Sequence, residues 1–99
     1  MAFAIIWSQT AVEDLREIVR FVARDDPTAA ASLANRILAH IELASDLPFS
    51  HRAVPEKADE SLREIILRPY RIIYDVDDTR CAIRILRVWH AARGTPDLE

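Results

Sequence analysis

Cysteine is all but missing from this sequence. Cys81 stands alone, so it has no partner for an internal disulfide and cannot by itself anchor a cysteine-based zinc site. Glycine is as scarce, with Gly94 the only one, and no P-loop, dinucleotide fingerprint, HExxH helix or nucleophile elbow is present. The expectation is a protein with no metal and no cofactor. Long apolar runs are missing too: nothing approaches the roughly 20 residues that a membrane helix needs. The opening MAFAIIWSQT has neither a basic n-region nor a long apolar stretch, so no signal peptide is expected and the expected compartment is the cytoplasm. Nor is there a basic field, since the net charge is −3, which argues against a generic coat for nucleic acid.

What is there bounds the fold. The 99 residues make one domain, residues 1–99, with a real but modest core. Composition, 51% hydrophobic and 29% charged, is that of a soluble globular chain and not of a disordered one. Positive charge is almost wholly arginine, Lys57 being the only lysine. A fork-shaped, permanently charged donor suits carboxylate or phosphate partners, although codon bias produces the same count. Residues 1–60 carry an excess of acid, and residues 61–99 a slight excess of base.

Along the chain, FAIIW (Phe3–Trp7) is β-branched and aromatic and reads as a strand. TAVE follows as a capping box, Thr10 the N-cap and Glu13 three residues on. Val12, Leu15, Ile18, Val19 and Val22 then predict an amphipathic helix over 11–24. Asp26 caps a second helix with Pro27 at its first position, over about 27–46, and the short connection makes the two a helical hairpin. Leu47–Glu60 has no period and reads as a long loop. SLREIIL, RIIYDV and CAIRILRVW complete the chain as three strands, with turns at Arg68–Pro69 and Asp77–Arg80. The predicted class is α+β, in the order β-αα-βββ: a small antiparallel-rich sheet with the helical hairpin on one face and the other face partly open.

Strand alternation groups the candidate residues. On the middle strand of the final three, Ile72, Tyr74 and Val76 form the apolar set expected to meet the helices, with Arg71, Ile73 and Asp75 opposite. On the last, regular alternation sets Arg84, Leu86, Val88 and His90 against Ile83, Ile85, Arg87 and Trp89, so both faces are expected to be half covered. His90 is either a general acid/base or a partly buried imidazole bonded to a backbone carbonyl. Arg71, Arg87 and Arg93 either clamp a phosphate or pair across the sheet with Glu64, Asp75 and Asp78. Arg16, Arg20 and Arg24, four apart on the first helix, read as a solvated face. Tyr70, Tyr74, Trp7 and Trp89 are expected in the core, and Cys81 beside a turn reads as inert.

Four stretches together resemble a known family. W-S-x-x-A-x-x-D-L at Trp7–Leu15, DDPTAAASLANRILAHI at Asp25–Ile41, LREIILRPYRIIYDV at Leu62–Val76 and RILRVWHAAR at Arg84–Arg93 are similar to the RelE/ParE superfamily of toxins from bacterial type II toxin–antitoxin operons. The resemblance runs over nearly the whole chain and implies the same β-αα-βββ order. It implies a growth-inhibiting toxin neutralised by a cognate antitoxin, reaching operator DNA only through that antitoxin. RelE-like members cut messenger RNA on the ribosome, whereas ParE-like members act on DNA gyrase without chemistry of their own. On the nuclease reading, Arg71 and His90 would be catalytic. Arg63, Arg71, Arg87 and Arg93 are the candidate contacts to target on either reading. Three departures favour the gyrase-directed reading: no Tyr in the tail GTPDLE, Ile65 where the nucleases prefer a basic residue, and the overall acidity. A third reading is a non-toxic co-repressor that only binds the antitoxin.

Overall fold

Ser8 sets the geometry of the N-terminal third. It follows strand β1 (Ala4–Trp7) and caps helix α1 (Gln9–Ala23), its Oγ accepting the Ala11 N–H at 3.0 Å. The same hydroxyl donates to the Leu86 carbonyl at 3.1 Å, so the cap is fastened to a distant strand. The expected cap at Thr10 therefore lies inside the helix; Ser8 wins because it alone is held from both sides. The structure, a computed structural model, describes residues 2–98.

Helix α2 (Pro27–Asp46) begins as its sequence predicts. Asp26 accepts the Ala29 N–H at 3.0 Å and Pro27 takes the first position, a cap worth about 0.5–2 kcal/mol. The loop that follows is not wholly irregular. Arg52–Ala53 form a two-residue strand, β2, which pairs with β3 (Leu62–Leu67). Strands β4 (Tyr70–Asp77) and β5 (Ala82–His90) complete a five-stranded sheet in the order β1-β5-β4-β3-β2, and a single 3-10 turn, Ala91–Arg93, follows. All neighbours are antiparallel except β1 and β5, which run parallel.

The helices pack on one face of this sheet. Ile37, Ile41 and Ala44 of α2 and Ala11 of α1 meet Ile65, Leu67, Ile72, Tyr74, Val76, Ile83, Ile85 and Val88. Burying each of the larger aliphatic side chains stabilises by about 1.5–3 kcal/mol. The apolar set on β4 is the predicted one. On β5 the regular alternation fails: Tyr74 pairs with Ile85 but Ile73 pairs with Arg87, which leaves Leu86 as an extra residue. That bulge shifts the phase, so Ile83, Ile85 and Val88 all reach the core and Leu86 is the residue displaced.

The Leu47–Glu60 loop is tied down beside the core. The Tyr74 hydroxyl donates to the Pro48 carbonyl at 2.6 Å, and burial pushes this phenol up to about 12. His51 lies against the same ring, edge to face, with ring centroids 6.2 Å apart. Burial, and then the charge of His40, hold its pKa below 6.5. The unfolded chain therefore takes up this proton first as pH falls below 6.5, and stability that is complete above that value is lost beneath it. The melting temperature is expected to drop between pH 7.5 and 5.5 in the wild type and to drop less in His51→Gln. Equal slopes would refute this assignment.

Candidate functional site

The candidate residues are divided by the sheet. β4 and β5 pair Arg71 with Trp89 and Tyr70 with His90, so in each strand the two neighbours point to opposite faces. His90 and Tyr70 share the helix side, their rings edge to face at 5.4 Å between centroids. Arg71 and Trp89 share the other side. The two residues expected to act together in a nuclease are thus on different surfaces.

On the helix side a groove of about 340 Å³ runs between α1 and the ends of β4 and β5, lined by Glu17, Ile18, Phe21, Tyr70, Val88 and His90 among others. His90 is not bonded to a backbone carbonyl as one of its two expected arrangements had it. Its Nδ1 accepts the Ala92 N–H at 3.1 Å and caps the 3-10 turn, an acceptor role that places the proton of the neutral ring on Nε2. Phe21 stands 68% exposed at the groove's edge, which makes this a surface with an unsatisfied apolar component. Tyr70 is half-buried at this rim and is not the core residue expected.

The opposite face, expected to be partly open, is closed at its centre. Ile73 is wholly buried, Glu64 1% exposed and Trp89 7% exposed. The C-terminal tail folds back over it: Trp89 Nε1 donates to the Gly94 carbonyl at 2.9 Å, and Arg87 donates to the Asp97 carbonyl at 3.0 Å. Trp89 is accordingly not part of the helix-side core but a platform, with the Arg87 guanidinium 4.7 Å and the Arg93 guanidinium 4.3 Å from its ring centre.

Each candidate arginine has an occupation of its own. Arg71 gives Nε to Glu64 at 2.7 Å and its two terminal nitrogens to Glu56, both at 2.8 Å, and these carboxylates hold its pKa above the ordinary value. Glu64 is shared with Arg52. Arg87 pairs with Asp14 of α1, at 2.7 and 3.0 Å, and not with Glu64, Asp75 or Asp78; Asp75 belongs to Arg84. Arg63 is spent on backbone, donating to the carbonyls of His51, Phe49 and Glu60. Arg93 is exposed on the Trp89 ring. Arg16, Arg20 and Arg24 are exposed along α1, and Cys81 is exposed at the β4–β5 turn with φ 52°. Among the described residues no cluster of His, Cys, Asp or Glu is placed to hold a metal, and no helix is long and apolar enough to cross a membrane.

Asp14 and Glu56 are the two residues that sequence reasoning passed over. Asp14 had a signal: it sits on the apolar stripe of α1, between Ala11 and Leu15, where an acid needs a buried partner. Glu56 had none, because loop residues follow no period.

The chain matches, over residues 5–94, a family model described as ParE toxin of type II toxin–antitoxin system, parDE. It is 34% identical over 100 residues to the protein Y4kP of Sinorhizobium fredii, covering 95% of this chain and 94% of that one. It is 31% identical over 90 residues to the toxin RelE2 of Caulobacter vibrioides, covering 90% and 96% respectively. Among solved structures, the chromosomal ParDE system of P. aeruginosa superposes with a TM-score of 0.71 at 20% identity, over 90% of this chain and 96% of that chain. The RelBE2 toxin–antitoxin complex of Mycobacterium tuberculosis follows at 0.61 and 19% identity, over 91% and 99%. At such identities these two establish the shared fold.

Proposed function

Since the chain belongs to the ParE toxin family of type II toxin–antitoxin systems, we propose that it arrests growth by docking on DNA gyrase and cleaves nothing itself. One observation carries this reading: Arg71 and His90, the pair a ribonuclease would need around one phosphate, project from opposite faces of the sheet. The tethering of Arg71 by two carboxylates supports it, as does the net charge of −3, which a ribosome's phosphate field would repel. In this reading Arg93, His90 and Phe21 around the helix-side groove, with Arg71 on the far face, are docking contacts.

A ribosome-dependent messenger RNA endoribonuclease is the second reading. The RelE2 relative favours it, as does the gathering of Tyr70, His90 and Arg93 about one groove. A co-repressor without toxicity is the third. In all three the chain works in the cytoplasm as one toxin domain, residues 1–99, held by a cognate antitoxin. Leu43, Leu47 and Phe49, at 61%, 66% and 46% exposure, extend an apolar strip onto the Leu47–Glu60 loop, which is where we place part of that antitoxin.

Induction of the toxin in a growing bacterial host separates the readings. Intact messages by primer extension, with loss of plasmid supercoiling by purified gyrase when the toxin is added, is the expected result. New 5′ ends inside translated codons would overturn it. Unimpaired growth with tight antitoxin binding would leave the co-repressor.

A further inference from the structure

Arg71 is gripped by two carboxylates of very different standing. Glu64 is carried on β3, is 1% exposed, and also binds Arg52, so it cannot leave without unpairing two charges. Glu56 comes from a loop. Its two oxygens each take one terminal nitrogen of Arg71 at 2.8 Å, the parallel two-bond grip with which arginine holds a phosphate or a carboxylate from outside.

The segment bearing Glu56 is an exposed turn held mainly at its two ends. Val54, 2% exposed, anchors it at one end, where a turn closes with the Lys57 N–H on the Val54 carbonyl at 3.2 Å. Residues 55–60 are all exposed. Beyond that turn, residues 55–60 are tied back by the Glu56 carboxylate on Arg71, by the Glu60 carbonyl accepting from Arg63 Nε, and at their far end by Asp59, which accepts from the Leu62 N–H and from Ser61. Around the Arg71 fork lies a depression of about 590 Å³ with Arg52 and Arg68 on its rim and Ile66 and Tyr70 in its walls. Arg68 is exposed and has no carboxylate paired with it among the described residues. Without Glu56 this depression presents three guanidinium groups against one buried carboxylate.

We propose that Glu56 is a resident, displaceable occupant of an oxyanion seat: the free protein holds the seat shut, and opening of the 55–60 turn passes the Arg71 fork from Glu56 to a phosphate or carboxylate of a partner. This holds whichever macromolecule the toxin acts on, because it concerns only how Arg71 becomes available. A seat closed about 90–99% of the time binds about 10- to 100-fold more weakly than the open one.

The test titrates inorganic phosphate into the full chain at low ionic strength, followed by the arginine side-chain N–H resonances. Glu56→Ala is expected to bind phosphate about 10- to 100-fold more tightly than the wild type. Glu56→Gln, which keeps the shape but not the charge, should fall between them, and Arg71→Lys added to Glu56→Ala should abolish the gain. Equal affinity in the wild type and Glu56→Ala, both folded, overturns the proposal; so does a gain that survives Arg71→Lys. Where Glu56→Ala does not fold, Glu56→Gln decides alone, and wild-type affinity there counts against the seat. Glutarate in place of phosphate sorts the source, an acidic side chain or a phosphate ester, and a gain with either supports the latch.

Discussion

Asp14→Ala is expected to lower the free energy of unfolding by about 3–5 kcal/mol, the cost of stranding one partner of a buried ion pair. Asp14 is 9% and Arg87 15% exposed in their side chains, and the carboxylate takes both Arg87 Nε and NH2. It also takes the Val88 N–H at 3.1 Å, a backbone donor on the stretch of β5 that β1 is too short to cover. One side chain thus neutralises a guanidinium and finishes a sheet edge, and its loss leaves both undone. At about 4–8 °C per kcal/mol for a chain of this size, the melting temperature should fall by more than about 12 °C. Arg87→Leu on top of Asp14→Ala should recover part of this, because no charge is then left without its counter-ion. If the single variant melted within a few degrees of the wild type, the closure of this edge would have to be assigned elsewhere.

Glu64→Ala is the second large effect, expected at about 3 kcal/mol, near the lower end of the same range. Its two partners differ. Arg52, 60% exposed, can turn to water at little cost, whereas Arg71, 11% exposed, cannot. Glu56 remains on the Arg71 fork and softens the loss, which is why the estimate stays at the lower end. Arg52→Ala should cost no more than about 1 kcal/mol, as an exposed pair does. Denaturant unfolding of the two variants side by side checks the asymmetry: comparable losses would mean that the burial of Glu64, and not its hold on Arg71, sets the cost.

The parts of the fold that local chemistry decides were readable before the structure. Asp26–Pro27 announces a helix start with its own side chain and ring, and the apolar set on β4 follows from a period of two that nothing interrupts. The family resemblance likewise rested on contiguous stretches. What escaped was decided at long range. The Ser8 cap is fixed by a carbonyl 78 residues away, and the phase slip on β5 by pairing across to Ile73 and Tyr74. The slip did leave a trace, since Ile83, Ile85 and Val88 with Arg87 between them break a strict alternation. For the candidate site, the sequence supplied the right residue types but not their sides. Whether Arg71 and His90 face one another depends on which of two adjacent residues in each strand points up, and the bulge lies between the core and that end.

The parallel pairing of β1 with β5 has a consequence for when this protein exists as such. Ala4–Trp7 pair only with Ala82–Ile85, and Asp14 finds Arg87 across a similar span, so the opening strand has no partner strand until that part of the chain has emerged. At about 5–20 residues per second, that is a wait of roughly 4–16 seconds in synthesis. Closing so distant a contact also slows folding after release. For that interval a nascent copy lacks its completed sheet.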